Sequence, residues 1–174
     1  VLAVQPADAK KVQQDSVVSP IEMPMNDEIQ QVNGVSKATN KETQRLSNKL
    51  ADATKAMVKK NWKTIYVKAV PTGDKAAVRF YYVDTRGQVH NGQVIRNTGL
   101  SKGKYMTGSL RQTEALQELV NHLERTGQEV PSSIDIIITQ GGYRSKTIFN
   151  YDEDTSNLPA YQQQYEQQNF PTMK

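Results

Sequence analysis

His90 and His122 are the only imidazoles in the chain, and cysteine is absent. A bound metal needs several soft or carboxylate donors at short spacing. Neither histidine has a second histidine or a cysteine at ligand spacing, and they fall on different elements. A serine or threonine nucleophile needs a base and a group that orients it, and no Ser/His/acid set carries a recognisable signature. A hydrolase with an unrecognised site would have to rest on His90 or His122, and it ranks last among the readings. His122 lies beside Leu119 and Leu123, which places it at the boundary of a helix face. His90 sits near a turn and is expected to be exposed. The lack of cysteine excludes disulfides, a thiolate nucleophile and cysteine-held zinc, without fixing the compartment.

Three other groups of residues have chemical character. Gly99-Leu-Ser-Lys-Gly-Lys resembles a phosphate loop, but it lacks the Walker spacing and a strand-to-helix frame. A flexible basic loop over 97–106 is the better reading. Asp152, Glu153 and Asp154 form an acidic run on a turn. Such a run either sits in water or meets a basic partner. Tyr66, Phe80, Tyr81 and Tyr82, with Lys68 and Arg79, look like a sheet face that stacks bases. Alternation separates them, however, with Phe80 and Tyr82 facing one way and Arg79 and Tyr81 the other. A core face on one side and a partly exposed Tyr81 on the other is the economical account. The candidate partner-binding residues are therefore Tyr81, Asp152, Glu153 and Asp154. No catalytic, metal or cofactor residue is assigned.

These residues need elements to hold them. Thr39 or Asn40 can cap a helix running to about Lys60, with Leu46, Leu50, Ala53 and Met57 as its apolar stripe. Trp62 to Val70 alternates as a strand, with Ile65, Val67 and Ala69 on one face and Tyr66 and Lys68 on the other. Pro71-Thr72-Gly73-Asp74 turns the chain into a second strand through Tyr82, and a third runs from Val89 to Ile95. These tight connections imply antiparallel hairpins. A second amphipathic helix is expected from Ser109 to Thr126, with Ser109 and Gln112 as a capping box. Ile134 to Thr139 and Tyr143 to Tyr151 complete the strands. Asn157 can cap a last polar helix, whose Tyr161 and Tyr165 lie four apart and can dock on the domain. The fold class is α+β: a largely antiparallel sheet of about five strands against two amphipathic helices, in the order α-β-β-β-α-β-β-α.

Residues 1–38 read as a flexible tail or spacer, because Pro6, Pro20 and Pro24 interrupt them and their valines follow no period. Residues 39–174 read as a single domain. The net charge of +4 is uneven. Residues 1–40 carry −2, with Lys10, Lys11 and Lys37 against Asp8, Asp15, Glu22, Asp27 and Glu28, which leaves +6 for the remainder. That balance suits an acidic partner surface, anionic lipid or nucleic acid, although no dense Lys/Arg block exists. No apolar run approaches the ~20 residues that span a bilayer, so a soluble chain is expected. Val1-Leu2-Ala3-Val4 lacks an initiator methionine. It is either a signal-peptide remnant, implying a periplasmic or secreted protein, or a trimmed start, implying a cytoplasmic one.

Asn61-Trp62-Lys63-Thr64-Ile65-Tyr66-Val67 after a helix, then Val78-Arg79-Phe80-Tyr81-Tyr82, then Phe149-Asn150-Tyr151-Asp152 with Asp154 before a polar terminal segment, resembles the YezG-like family of bacterial immunity proteins over roughly 41–170. The resemblance implies a non-enzymatic protein without cofactor that sits on a cognate protein toxin, typically a secreted nuclease or related effector, and blocks it. Nuclease inhibitors tend to be acidic and this domain is basic, which is a departure. The family is usually cytoplasmic, whereas this N-terminus has the look of a secretory remnant. An exported form guarding against an envelope-acting toxin reconciles the two. The alternative is a basic module that binds nucleic acid or an anionic surface, which is not favoured.

Overall fold

The structure is a computed structural model that describes residues 21–22, 31–32, 35–72, 75–141 and 145–173. In chain order these form β1 (Ile21–Glu22), β2 (Gln31–Val32), β3 (Val35–Ser36), α1 (Lys37–Lys55), β4 (Trp62–Thr72) and β5 (Lys75–Asp84). Then come β6 (Val89–Asn91), α2 (Ile95–Thr98), α3 (Lys102–Arg125), β7 (Ser133–Thr139), β8 (Lys146–Asn150) and α4 (Leu158–Asn169). The five strands expected from alternation are all present. They form one antiparallel sheet in the order β8-β7-β4-β5-β6, and the two-residue β1 joins it beside β8. β2 and β3 pair with each other. These short pairings fall within the stretch read from sequence as a tail; most of that stretch lies outside the described residues, as do Gly73-Asp74 and Gly142, Tyr143 and Arg144.

The sheet has two covered faces. On one, Ile65, Val67, Phe80, Ile134, Ile136 and Phe149 meet Leu46, Leu50, Met57, Leu116, Leu119 and Leu123 from α1 and α3 in one apolar core. Full burial of each such side chain contributes about 1.5–3 kcal/mol. On the other face, Tyr66, Lys68, Arg79, Tyr81 and Asp135 lie under α4 and Phe170. Docking of Tyr161 and Tyr165 is as their spacing predicts, since the Lys68 ammonium lies 5.5 Å and 5.0 Å from their ring centres. No described helix is long and apolar enough to cross a membrane.

Three helix boundaries differ from expectation. Ser36, not Thr39 or Asn40, caps α1: its Oγ accepts from Thr39 N at 3.2 Å. α1 also ends at Lys55, and the chain then turns to bury Met57 and Val58. α3 begins at Lys102, capped by Ser101, so most of the expected basic loop is helix, and Ser109 lies inside α3 rather than capping it. Gly103 and Gly108 weaken a helix there, but packing overrides propensity: Tyr105 packs on the core and donates to Gly92 O at 2.9 Å, and Gly108 lies against Met57.

The third strand stops at Asn91 because the chain folds back into a side-chain imitation of a strand. Phe80 N donates to Gln93 Oε1 (2.9 Å), Gln93 Nε2 donates to Phe80 O (3.2 Å), and Gly92 N donates to the same oxygen (2.8 Å). Asn91 Oδ1 accepts from Gln93 N at 2.8 Å. A Cβ on Gly92 would fall 2.3 Å from the Phe80 ring, so only glycine permits this approach.

Candidate functional site

Tyr81, expected to be partly exposed, is fully buried, with no accessible surface. Sheet alternation does point it away from the main core, as expected, but α4 seals that side. Its ring lies 4.9 Å from that of Phe170 and 5.7 Å from that of Tyr165. Its hydroxyl donates to Glu166 Oε2 at 2.7 Å and accepts from Arg79 Nε at 3.1 Å, while Arg79 Nη2 reaches the same carboxylate at 2.9 Å. Burial and the Glu166 carboxylate push the hydroxyl well above its usual range, so it remains a donor. Tyr81 therefore fastens α4 to the sheet and offers no surface to a partner.

Next to it, Lys68 is almost fully buried and lies 3.2 Å from the Asp135 carboxylate. Burial alone would lower its pKa, but Asp135 reverses the sign and holds the ammonium well above the ordinary lysine value. Asp135 also accepts from Asn150 Nδ2 at 2.7 Å. The network is closed by hydrogen bonds and cation–π contacts, which is what a buried charge requires.

The acidic run divides into three roles. Asp152 is exposed and adopts φ 64°, a left-handed conformation that aspartate tolerates at a turn. Glu153 turns back onto the domain. It accepts from the Ser132, Ser133 and Tyr161 hydroxyls, and its own N–H donates to Ser132 Oγ. Burial pushes the Tyr161 hydroxyl up to about 12, which keeps it a donor. Asp154 caps the next turn, accepting from Ser156 N at 3.1 Å and Ser156 Oγ at 2.6 Å. The structure thus brings Glu153 to α4 through Tyr161, close to the layer that holds Tyr81, and leaves Asp152 facing out.

The histidines stay apart. His122 is buried, deeper than the boundary position expected, with Nε2 2.8 Å from Thr43 Oγ1. His90 is partly covered rather than exposed: it stacks on Tyr82 and lies 2.8 Å from Asp84. Among the described residues no group of three His, Cys, Asp or Glu side chains converges as a metal site would need.

A different surface stands out at the start of α3. Met106 and Leu110 are the exposed large hydrophobics of the described residues, each more than half accessible. Four residues apart on one helix, they share a stripe. Exposed Lys102, Lys104 and Arg111 flank them on α3, and exposed Arg96 stands on α2. Lys59 and Lys60 join from the end of α1: Lys59 N donates to Thr98 O at 2.8 Å, and a Cβ at Gly99 would lie 3.2 Å from Lys59 Cβ and 3.5 Å from Lys60 Cε. Gly103 lies on the same solvent side, with open space where a Cβ would be. It costs the helix about 1 kcal/mol relative to alanine, with no packing reason among the described residues. The sequence reading missed this surface, because the two glycines disguised the first turns of α3. The usable signal was the run Tyr105, Ser109, Gln112 and Leu116, which extends the buried stripe back to Ser101.

Comparison with curated proteins finds none that matches the chain. The family model described as immunity protein YezG-like matches residues 43–173. That range runs from the first turns of α1 to beyond Phe170 and takes in both helical layers and strands β4 to β8 of the sheet. On that match, the chain belongs to the YezG-like immunity protein family.

Proposed function

We propose that this chain is an immunity protein that neutralises a cognate bacterial toxin by forming a direct complex with it, without turnover of its own. The observation that carries the reading is the family match over residues 43–173. It is supported by the use the molecule makes of its polar chemistry. The Lys68, Arg79, Tyr81, Glu153 and Glu166 side chains are spent on fixing α4 to the sheet. A body stiffened in this way suits binding, which loses affinity when loops must be ordered first.

The test is coexpression with the toxin encoded by the adjacent gene. Protection of the cell, together with co-elution of the two purified proteins as one complex, is the expected result. Cells killed at the same rate with and without this chain would remove the reading. The cationic surface around α3 favours a second reading, an anionic-polymer binder. It predicts retention on heparin or DNA that falls steeply with salt, and no retention at low salt ends it.

A further inference from the structure

The geometry points to the exposed stripe of α3 as an interaction surface for an acidic face of a partner protein, with Met106 and Leu110 as its centre and the surrounding cations as its rim. The assignment rests on the immunity reading for the identity of the partner, and on this surface alone for its chemistry.

Four observations converge. Met106 and Leu110 are 58% and 57% exposed, on a helix that is otherwise firmly seated through Tyr105 and Gly108. Lys102, Lys104 and Arg111 flank them, and Lys59, Lys60 and Arg96 are brought in by the contact between the end of α1 and the α2–α3 joint. Glu114 is the one exposed acid a turn beyond Leu110. Gly103, one turn before Met106, leaves the helix backbone bare, and a bare backbone allows a partner to come closer than any side chain would.

The chemistry selects the occupant. An apolar centre inside a charged rim is the anatomy of a protein–protein interface. Nucleic acid would leave Met106 and Leu110 without partners, and single strands need aromatic stacking. Tyr105, the one Tyr, Phe or Trp of α3, turns inward to Gly92 O. A membrane surface needs a longer apolar face than two residues supply. A second copy of this chain docking through the same stripe would set six cations against six cations. The complement is a protein surface with aliphatic side chains ringed by Asp and Glu.

The experiment compares the full chain with Leu110→Asp, Lys102→Glu and Gly103→Ala, and with Arg125→Glu at the far end of α3 as a control of similar charge change. Each is checked by thermal melt. Two probes are used: the toxin encoded next door, and a synthetic amphipathic helical peptide with leucines on one face and glutamates flanking them. Leu110→Asp and Lys102→Glu are expected to weaken binding of both probes at least tenfold with the melt unchanged, while Arg125→Glu binds as the parent does. Gly103→Ala is expected to weaken binding while raising the melting temperature or leaving it unchanged. A parent chain that binds the toxin equally well with or without these substitutions overturns the surface and leaves the immunity reading standing. A parent that fails with the toxin but binds the peptide through α3 sinks the immunity reading and leaves the surface. Failure with the peptide and the toxin together overturns the surface, as does α3-dependent binding to duplex DNA or to phosphatidylserine vesicles in place of the peptide, or α3-dependent self-association.

Discussion

Asp84 shows how much one carboxylate can organise. Its Oδ1 accepts from Arg86 N and Gln88 N at 2.8 Å and 3.0 Å, and its Oδ2 meets His90 Nε2 at 2.8 Å. The His90 hydrogen bond and then the backbone donors hold its pKa down to about 2, against an ordinary 3.8. A depressed carboxylate stabilises the fold above its unfolded pKa and loses that contribution as pH falls through the folded one. The stability gap between the parent and Asp84→Asn should therefore narrow as pH falls from 3.8 to about 2. Urea melts across that range measure it, and a gap that persists at the acid end contradicts the assignment. Single-residue roles of this kind were only partly legible beforehand. Three consecutive acids announce a turn, but which one folds inward depends on Ser132, Ser133 and Tyr161, distant in sequence or on another element. Tyr81 was placed on the correct face by alternation, while its burial depends on a helix that begins 77 residues later.

Among elements, the strands were the easiest to read, because β-branched and aromatic residues are concentrated in them between turn residues. α3 was read two turns too short, since two glycines outweigh one tyrosine in any local reading and only the contacts of Tyr105 restore the balance. α4 is the opposite case: weak in apolar pattern, legible through its Asn157 cap and its tyrosine pair. None of its own residues is buried. What holds it is the Arg79–Tyr81–Glu166 cluster, the tyrosine contacts with Lys68, and Phe170 just past its end, 5% exposed and wedged against Tyr66 and Tyr81. Phe170→Ala should cost roughly 3 kcal/mol. The loss should be local, with α4 amides exchanging faster in deuterium while those of α1 and α3 keep their protection. Uniform loss of protection across the molecule would show instead that α4 is integral to the main core.

At the scale of the molecule, charge is laid out along the sheet. Six of the exposed cations cluster beside the start of β4, where α3 begins. The acidic turn lies at the other end, where β7 starts and β8 finishes, and β4 and β7 run antiparallel. Such a separation orients an acidic partner before contact and acts mainly on the rate of encounter. Stopped-flow association should therefore slow with added salt for the parent and slow further for Lys102→Glu, whereas Leu110→Asp should act chiefly by hastening dissociation. Equal effects of both substitutions on the two rates would remove the division between rim and centre. This layout was half legible: the +6 excess outside residues 1–40 could be counted, but its concentration around one helix requires the joint between Lys59 and Thr98.

The turn at Asn91-Gly92 bears on how the protein ages. Asparagine followed by glycine is the peptide step most inclined to close into a succinimide, through attack of the glycine nitrogen on the asparagine amide carbon. In the folded chain that nitrogen is committed to Phe80 O, and the Asn91 side-chain oxygen is held by Gln93. The native state thus shelters this step, one of the two Asn-Gly pairs in the sequence, the other being Asn33-Gly34. Each unfolding event exposes it, so deamidation at this step records how long a population of molecules has spent unfolded.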